Sequence, residues 1–423
     1  MNTVACEYVR TPSKRSDTLT FDLAQLHWDL HGPLPKIELK PAALDLIEVS
    51  RIVHEIDRSM PRRISTERTA LFEVTMPVRK PAVWKRAAEA LSSVLYIQGG
   101  SEWKFTFTDR GADKTELDTL YATHDEARLA SKPPRQVILF SGGLDSTSGL
   151  ATLRGRQDEF VLVGAFSRNL ILQQEIAGTL GFRHHIQMQG TWRGRGAAKV
   201  GGQFQHRSFY YLSLGAAFLS ALGGDTLYQF ENGPLALSVP PAPLYRMTRH
   251  AHPTVHRAAE RLFEAVLGKK IAIINPFLKL TKRQALASLQ VAEAKLIAKT
   301  ETCWNIRATT VVGAGTKSSK TPCGTCIPCI VRQAATGVRR GEYAVNLAAK
   351  SGPYAKNDVV RVHLDAYLAF ARRVVAPTYG FGNLLLDMPE VTEAAIFEHN
   401  AIMPDETLAL YKCFSAELIE MFG

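Results

Sequence analysis

Residues 136–147 read QVILFSGGLDST, and this stretch decides the fold. Its first five residues form a short, mostly apolar run, as in a strand that is buried on both faces of a parallel sheet. Two adjacent glycines, Gly142 and Gly143, allow backbone conformations closed to other residues and let N–H groups approach an anion. Asp145 then opens a predicted helix, and the first amides and the dipole of a helix favour a phosphate group. The stretch therefore predicts a phosphate-binding loop between a buried strand and a helix.

Hydroxyl groups flank the glycine pair. Ser141, Ser146 and Thr147 each add a hydroxyl donor to the predicted loop. The loop is not of the Walker type, because the GxxxxGK[ST] pattern and its lysine are missing from this stretch. The sequence thus predicts phosphate binding by a different loop chemistry.

Strands and helices alternate from this stretch onwards. Predicted strands cover residues 136–140, 160–166, 184–188 and 226–230, and predicted helices cover 146–154, 170–181 and 206–222. Such alternation is typical of βαβ units and of a parallel sheet. Ligands of these sheets bind at the carboxyl ends of the strands, near a switch in strand order. The loops after Phe140, Phe166 and Phe230 are therefore the expected walls of a site.

A cysteine cluster lies further along the chain and consists of Cys303, Cys323, Cys326 and Cys329. Three thiols at a spacing of two intervening residues can converge on one ion where Pro322, Gly324 and Pro328 bend the chain. A fourth thiol from upstream completes a tetrahedral site, which is typical of structural Zn²⁺. An Fe–S cluster is the chemical alternative. The remaining cysteines, Cys6 and Cys413, stand apart from this cluster.

The SGGxDS string resembles the PP-loop of the N-type ATP pyrophosphatases, which belong to the adenine nucleotide alpha hydrolase-like superfamily. These enzymes split ATP between the α and β phosphates with Mg²⁺, and AMP passes to a substrate oxygen. The resemblance implies a catalytic role for Asp145, Ser146 and Ser141, with Asp145 near the metal and the phosphates. It also implies the ATP-binding residues Phe140, Ser141, Gly142, Gly143, Leu144, Asp145, Ser146 and Thr147.

The cysteine cluster narrows this resemblance. Residues 301–305 (ETCWN) and 322–329 (PCGTCIPC), followed by Arg332, resemble the 7-cyano-7-deazaguanine synthases, the QueC family. Residues 275–282 (NPFLKLTK) are similar to that family's TP-containing loop and its following helix, and residues 206–208 (HRS) stand where the family has Gly-Arg-Asn. The resemblance covers residues 136–340 and implies a deazapurine substrate.

The chain also departs from the family. Residues 166–169 (FSRN) replace an expected aromatic-Asp-Tyr-Gly-Gln segment, and Ser208 replaces an expected Asn. The flanking regions do not belong to the housekeeping synthase. A chain of this length resembles the QueC-like proteins of anti-phage operons, notably the QatC type. That branch implies a partner protein that is modified with a 7-deazaguanine group.

Four further residues are candidate substrate contacts. Arg168 and Arg207 could neutralise a substrate carboxylate or the departing pyrophosphate, and surface salt bridges are the alternative. Glu231 and Asn232 follow a predicted strand at the expected mouth of the sheet, where they could contact the base or the ribose. A solvated turn is the alternative there.

The predicted fold class is α/β, with a Rossmann-like parallel sheet that carries the PP-loop and the zinc site. Together with an N-terminal α+β module and a helical tail, this gives three predicted domains. The α+β module covers residues 1–132, with strands at 36–39, 70–77 and 103–108 and helices at 42–58 and 83–91. The PP-loop domain with its four-cysteine site covers 136–340. The C-terminal extension covers 341–423, with helices at 359–374, 390–399 and 407–422.

Length, charge and hydropathy bound the remaining questions. The 423 residues are many for one domain, and 46% hydrophobic and 22% charged residues are usual for a globular protein. No apolar run approaches the roughly 20 residues that cross a bilayer, and the first thirty residues lack the features of a signal peptide, so a cytoplasmic location and no membrane contact are expected. The net charge of +11 suits ATP, nucleic acid or an acidic protein.

The main hypothesis is ATP-dependent adenylation of 7-carboxy-7-deazaguanine, followed by transfer to an amine of a partner protein encoded nearby. Nitrile synthesis with ammonia, as in the housekeeping family, is one alternative. A tRNA-modifying PP-loop enzyme is a second, in which the positive charge would serve RNA binding. A non-catalytic binding subunit is a third.

Overall fold

The computed structural model describes residues 2–5, 27–31, 37–59, 71–111, 134–165, 170–189, 205–238, 248–303, 321–337, 342–349, 358–396 and 399–423. The chain divides into two compact units. The first consists of Met1–Ser141, Leu153–Gln229 and Thr248–Ile274, and the second of Gly142–Thr152, Phe230–Met247 and Asn275–Gly423. The predicted three-domain division, with boundaries near 132 and 340, stays a prediction.

Nine strands occur among the described residues, all in the first unit. They are β1 (Asn2–Ala5), β2 (His27–His31), β3 (Leu71–Val78), β4 (Glu102–Asp109), β5 (Gln136–Leu139), β6 (Phe160–Ala165), β7 (His185–Gln189), β8 (Thr226–Tyr228) and β9 (Ala272–Ile274).

Thirteen α-helices are described. They are α1 (Pro41–Ser59), α2 (Pro81–Gly99), α3 (Leu144–Thr152), α4 (Leu170–Thr179), α5 (Arg207–Ala221), α6 (Gly233–Ala236), α7 (Pro253–Leu267), α8 (Lys282–Leu286), α9 (Ala294–Lys299), α10 (Ile327–Thr336), α11 (Asp358–Val374), α12 (Phe381–Asp387) and α13 (Pro404–Phe422). Short 3-10 helices cover Gln157–Glu159, Val291–Glu293 and Pro389–Ile396.

The larger sheet has the strand order β2-β7-β6-β5-β8-β9. Its last five strands in that order pair in parallel, and β2 pairs antiparallel with β7 at one edge. The predicted α/β class with a parallel sheet is confirmed. Residues Val137 and Ile138 of β5 are completely buried, as expected for a strand covered on both faces.

Strand β5 lies at the switch in strand order. The chain runs from β5 through β6 to β7 on one side, and β8 and β9 extend the sheet on the other side. In open α/β sheets, ligands bind at the carboxyl ends of the strands that flank such a switch. The SGGLDS stretch follows β5 directly in the chain, because β5 ends at Leu139 and α3 begins at Leu144.

The smaller sheet of the first unit has the order β1-β3-β4 and is parallel. The Phe72 and Trp103 rings stack with centroids 4.4 Å apart on paired positions of β3 and β4. The predicted strand at 36–39 is wrong for residues 37–39, which belong to no strand. Ile37 and Leu39 are buried, so the apolar alternation was real, but this segment leads into α1 instead of pairing with a sheet.

The second unit is helical in its described part. Helix α13 packs against α10 and α11, and α8 packs against α3 and α10. The predicted helix at 390–399 is wrong in type, because Pro389–Ile396 is a 3-10 helix. Among the side chains of this segment that the structure describes, Val391 and Ala394 are buried, three residues apart, which matches the three-residue turn of a 3-10 helix. None of the described helices is long and apolar enough to cross a membrane.

Candidate functional site

The turn before α3 has the geometry that its glycines allow. Gly142 has a φ of 74°, in the left-handed region where a side chain would be strained. The Gly143 carbonyl accepts hydrogen bonds from the Thr147 amide at 3.0 Å and from the Ser146 hydroxyl at 3.1 Å. These bonds close the first turn of α3 directly after the glycine pair.

Helix α3 is buried along most of its length, polar residues included. Asp145, Ser146, Thr147 and Ser148 are at most 8% exposed. Among the described residues, the Thr147 and Ser148 hydroxyl oxygens have no hydrogen-bond partner. Buried hydroxyls without partners are uncommon in folded proteins. Other described hydroxyls, such as those of Ser213 and Ser415, share this property, so it does not by itself single out α3.

Gly149 lets a neighbouring segment approach α3 closely. A β-carbon on Gly149 would lie 2.2 Å from the Phe230 ring, so only glycine fits there. Phe230 in turn packs on Phe277, with ring centroids 5.0 Å apart. This packing draws the residues after β8 towards α3.

A lysine faces the aspartate of the loop. Lys282 begins α8, is 2% exposed, and donates a hydrogen bond from its ammonium group to the Asp145 carboxylate. The helix is fixed by Thr281, whose side chain caps it together with Gln284 and donates to Glu417 at 2.6 Å. Asp145 and Lys282 therefore form a buried ion pair within the second unit.

Glu231 and Asn232 join this pair. The Asn232 amide donates to Glu231 Oε1 at 2.9 Å and approaches the two Asp145 oxygens at 3.4 and 3.5 Å. Asn275 holds the Glu231 backbone from both sides, accepting from its amide at 3.1 Å and donating to its carbonyl at 2.8 Å. We call Asp145, Glu231, Asn232 and Lys282 the carboxylate–lysine cluster.

The charges of this cluster act on one another. Burial raises the pKa of Asp145 to about 6, although the Lys282 ammonium lowers it, and the Glu231 carboxylate raises it further. The shift matches a carboxylate that is withdrawn from water and stands between one cation and one anion. Perturbed pKa values cluster at functional sites, and buried ion-pair networks such as that of Asp45 shift them as well.

The structure brings together some of the predicted site residues and leaves others elsewhere. Asp145, Glu231 and Asn232 meet in one cluster, whereas Ser141 and Arg207 belong to the first unit, where Arg207 is exposed at the start of α5. Arg168 lies outside the described residues. Phe140 also belongs to the first unit and is completely buried, with its amide donating to the Val163 carbonyl at 2.9 Å.

Lys282 was not among the predicted site residues. A local signal for it existed, because a lysine at the first position of a helix opposes the helix dipole. Thr281 and Gln284 form a capping box that marks this helix start. A cation at such a position suggests that something other than helix stability selects it.

The four predicted metal ligands converge. The sulfur atoms of Cys303, Cys323, Cys326 and Cys329 lie within 4.8 Å of one another, and all four residues are buried. The Cys326 amide donates to the Cys323 sulfur at 3.4 Å, and the Cys323 amide donates to the Cys303 sulfur at 3.3 Å. Four thiolates in this arrangement could hold a metal ion such as Zn²⁺.

Contacts among the four thiols of this cysteine cluster shift their pKa values in opposite directions. Hydrogen bonds from the other three thiols, that of Cys303 first, lower the pKa of Cys323. The same kind of contact raises the pKa of Cys329. The described residues contain one group of this kind, so the cysteine cluster is the candidate metal centre of this part of the chain.

Backbone geometry fixes three of the four cysteines. Gly324 has a φ of 84°, and a β-carbon there would lie 2.0 Å from the Val345 carbonyl oxygen. The Gln333 side-chain amide donates from its Nε2 to the Gly324 carbonyl at 2.8 Å and to the Cys329 carbonyl at 3.2 Å. The turn at Gly324 and the first residues of α10 therefore fix the positions of the Cys323, Cys326 and Cys329 thiols.

Comparison with known proteins assigns no family. No protein-family model matches the chain, and no curated protein shows significant similarity to it. The interpretation of both clusters therefore rests on their geometry and on the short motifs that form them.

Proposed function

We propose that the chain is a QueC-like PP-loop ATP pyrophosphatase that adenylates a 7-deazaguanine carboxylate and transfers the acyl group to an amine. The observation that carries this proposal is the position of SGGLDS in the fold. The motif follows the central strand of a parallel sheet at its switch in strand order and opens a buried helix. Nucleotides bind at this point in open α/β sheets.

The carboxylate–lysine cluster supports the proposal with a second kind of chemistry. An ATP pyrophosphatase must neutralise the charge on the β and γ phosphates as pyrophosphate departs, and positioned cations do this in phosphoryl-transfer sites. Lys282 is a buried ammonium group next to the loop residue Asp145. We assign to Lys282 the role of binding phosphate oxygens.

The oxygen ligands in this cluster also fit Mg²⁺. Magnesium in nucleotide sites takes one or two carboxylates together with substrate phosphates. Asp145 and Glu231 would hold it, since the Asn232 amide bridges the two carboxylates. When bound, Mg²⁺ neutralises phosphate charge and orients the phosphates.

The proposed reaction has two steps. A carboxylate oxygen of the substrate bonds to the α-phosphorus of ATP, and the bond to the bridging oxygen of the β-phosphate breaks, which releases pyrophosphate. An amine nitrogen then bonds to the acyl carbon, the bond to the AMP oxygen breaks, and the amine loses a proton to water. The products are an amide and AMP.

The acceptor that we propose is an amine of a partner protein, as in the anti-phage branch that the chain resembles. The added segments on both sides of residues 136–340 and the net charge of +11 support a protein acceptor over free ammonia. With ammonia as acceptor, the product would be the free amide or the nitrile of the housekeeping family.

A pyrophosphate-release assay tests the proposal. Purified protein is incubated with ATP, Mg²⁺ and 7-carboxy-7-deazaguanine, and release of AMP and pyrophosphate is measured. We expect release that depends on the acid, and Asp145→Asn should lower the rate by at least about 100-fold, as for loss of a main electrostatic contact in a phosphoryl-transfer site. The matched control is Asp225→Asn, an exposed aspartate at the amino end of β8, which should leave the rate unchanged.

The outcomes separate the alternatives. No AMP or pyrophosphate with any deazapurine acid would overturn the substrate assignment, and ATP binding without turnover would identify a binding subunit. Mass spectrometry of the products with ammonium, and with candidate partner proteins, distinguishes a small amide or nitrile from a protein conjugate. Salt-sensitive co-purification of tRNA would favour the tRNA-modifying alternative.

A further inference from the structure

The cysteine cluster is built from two separate chain segments, and they differ in how they are held. Cys323, Cys326 and Cys329 lie within seven residues and share the turn that Gly324 shapes. Cys303 comes from a segment 20 residues upstream of Cys323 and follows the short helix α9. The Cys323 amide, which donates to the Cys303 sulfur, joins the two segments at the sulfur itself. A contact between the Cys303 segment and α10 would fix the backbone on which Cys303 stands.

One side chain makes such a contact. Arg332 lies on α10 three residues after Cys329, so both side chains are on the same face of the helix. It is 4% exposed. Its Nη1 donates to the Thr300 carbonyl at 2.8 Å and to the Thr300 hydroxyl at 2.9 Å, and its Nη2 donates to the Ile297 carbonyl at 2.5 Å.

The acceptors of Arg332 lie at a helix end. Ile297 and Thr300 are at the carboxyl end of α9, which carries the negative end of the helix dipole, and the Ile297 carbonyl accepts a bond from the Thr300 amide at 3.3 Å as well as that from Arg332. Arg332 Nη1 also reaches the Thr302 hydroxyl at 3.5 Å, one residue before Cys303. The planar guanidinium thus fixes several successive groups at once, which a lysine ammonium does less well.

We propose that Arg332 is the positioning residue of the metal centre and that it delivers Cys303 as the fourth ligand. The Arg332 backbone belongs to α10, the helix that also carries Cys329. The Arg332 guanidinium binds groups of the segment that ends in Cys303. The inference concerns the cysteine cluster alone and does not depend on the ATP chemistry. Partners that orient metal ligands typically contribute about 10- to 100-fold in metal affinity.

Metal affinity and ligand count test this role. The full chain is loaded with Zn²⁺, and its affinity is measured by competition with a chromogenic chelator. Co²⁺ substitution then reports the number of bound thiolates by the sulfur-to-cobalt absorption. We expect Arg332→Met to weaken Zn²⁺ binding about 10- to 100-fold and to lower the cobalt signal from that of four thiolates to that of three. Arg332→Lys keeps the positive charge but lacks the planar guanidinium group, so it should restore part of the Zn²⁺ affinity and part of the cobalt signal.

The comparison with Cys303→Ser makes the test specific. If Arg332 acts through Cys303, Arg332→Met weakens Zn²⁺ binding in the native chain but adds little in the Cys303→Ser background. The matched control is Arg283→Met, since Arg283 also donates to a carbonyl of α10, that of Ala334 at 2.7 Å, away from the Cys303 segment. This control should bind Zn²⁺ as the native chain does.

Three results would overturn the proposal. They are unchanged Zn²⁺ affinity in Arg332→Met, an equal loss in the Cys303→Ser background, and a cobalt spectrum that keeps four thiolates. If Arg332→Met does not fold, Arg332→Lys decides by the same measurements. A native chain that binds no metal would remove the metal centre and this role together, while pyrophosphate release would still report separately on the proposed enzyme activity.

Discussion

Two buried groups of charges in this molecule are held in different ways. In the first unit, Asp45 of α1 accepts hydrogen bonds at 3.0 Å from the Arg79 and Lys80 backbone amides and from the Arg79 guanidinium. Glu48 is gripped by Arg79 through two bonds of 2.8 Å and by Arg110 through a third. Backbone amides and planar guanidinium groups therefore hold these two carboxylates in one arrangement, which we call the clamp.

The carboxylate–lysine cluster of the second unit lacks that rigidity in its contacts among the described residues. Asp145 is approached by the ammonium of Lys282, at the end of a flexible chain, and by the Asn232 amide at 3.4 and 3.5 Å, near the limit of a hydrogen bond. Side-chain donors of this kind can move to a new acceptor without disturbing the backbone. Burial of charge is thus common to both regions, and exchangeable contacts distinguish the candidate site.

Breaking the clamped group should have the largest effect on stability. Arg79→Met leaves the Asp45 and Glu48 carboxylates without their shared guanidinium, and loss of one partner from a buried ion pair costs about 3–5 kcal/mol. Urea unfolding followed by circular dichroism measures it. The control is Lys104→Met, since the Lys104–Glu73 pair is 3.9 Å long and solvent-exposed at the lysine. Equal stabilities of the two variants would contradict the clamped arrangement.

Local patterns and long-range contacts also differ in how far the sequence predicts them. The β5 strand, the glycine turn and the spacing of Cys323, Cys326 and Cys329 are local patterns, and the structure contains each of them close to its predicted bounds. The Asp145–Lys282 pair joins residues 137 positions apart, and no local pattern encodes such a contact. The short strand β9 and the edge strand β2 were missed for the same reason, since pairing with distant strands defines them.

The stability of the first unit should depend on pH through two buried histidines. Burial, followed by the Arg249 and His256 charges, lowers the pKa of His252 to about 3, and burial with the His250 charge lowers that of His256 to about 3. Both stay neutral in the folded chain while the unfolded chain takes up protons below about pH 6.5. Stability is therefore fully present above pH 6.5 and falls as the pH drops towards 3.

The expected loss is about 2 kcal/mol between pH 6.5 and 5.5, because each histidine of the unfolded chain is half protonated at pH 6.5 and contributes about 1 kcal/mol over this interval, and the slope approaches about 1.4 kcal/mol per pH unit for each group only at lower pH. Urea unfolding across pH 5–8 measures it. His256→Gln, which can keep a hydrogen bond to Gln229, should remove about half of the slope. His399→Gln, at an exposed position, should leave the slope unchanged, and a slope that His256→Gln does not alter would refute the neutral buried state.

The smallest effect on stability is expected at the carboxylate–lysine cluster, where the effect on activity should be large. Lys282→Met leaves Asp145 buried, but this carboxyl already has a raised pKa and can take up a proton, so we expect a loss of only about 1–2 kcal/mol. The double variant Asp145→Asn with Lys282→Met removes both charges and should recover most of that loss. Pyrophosphate release should be abolished in both variants. A Lys282→Met chain that is as unstable as Arg79→Met yet still releases pyrophosphate would make the Lys282 pair a structural clamp like that of Arg79, and the exchangeable contact proposed for this site would be wrong.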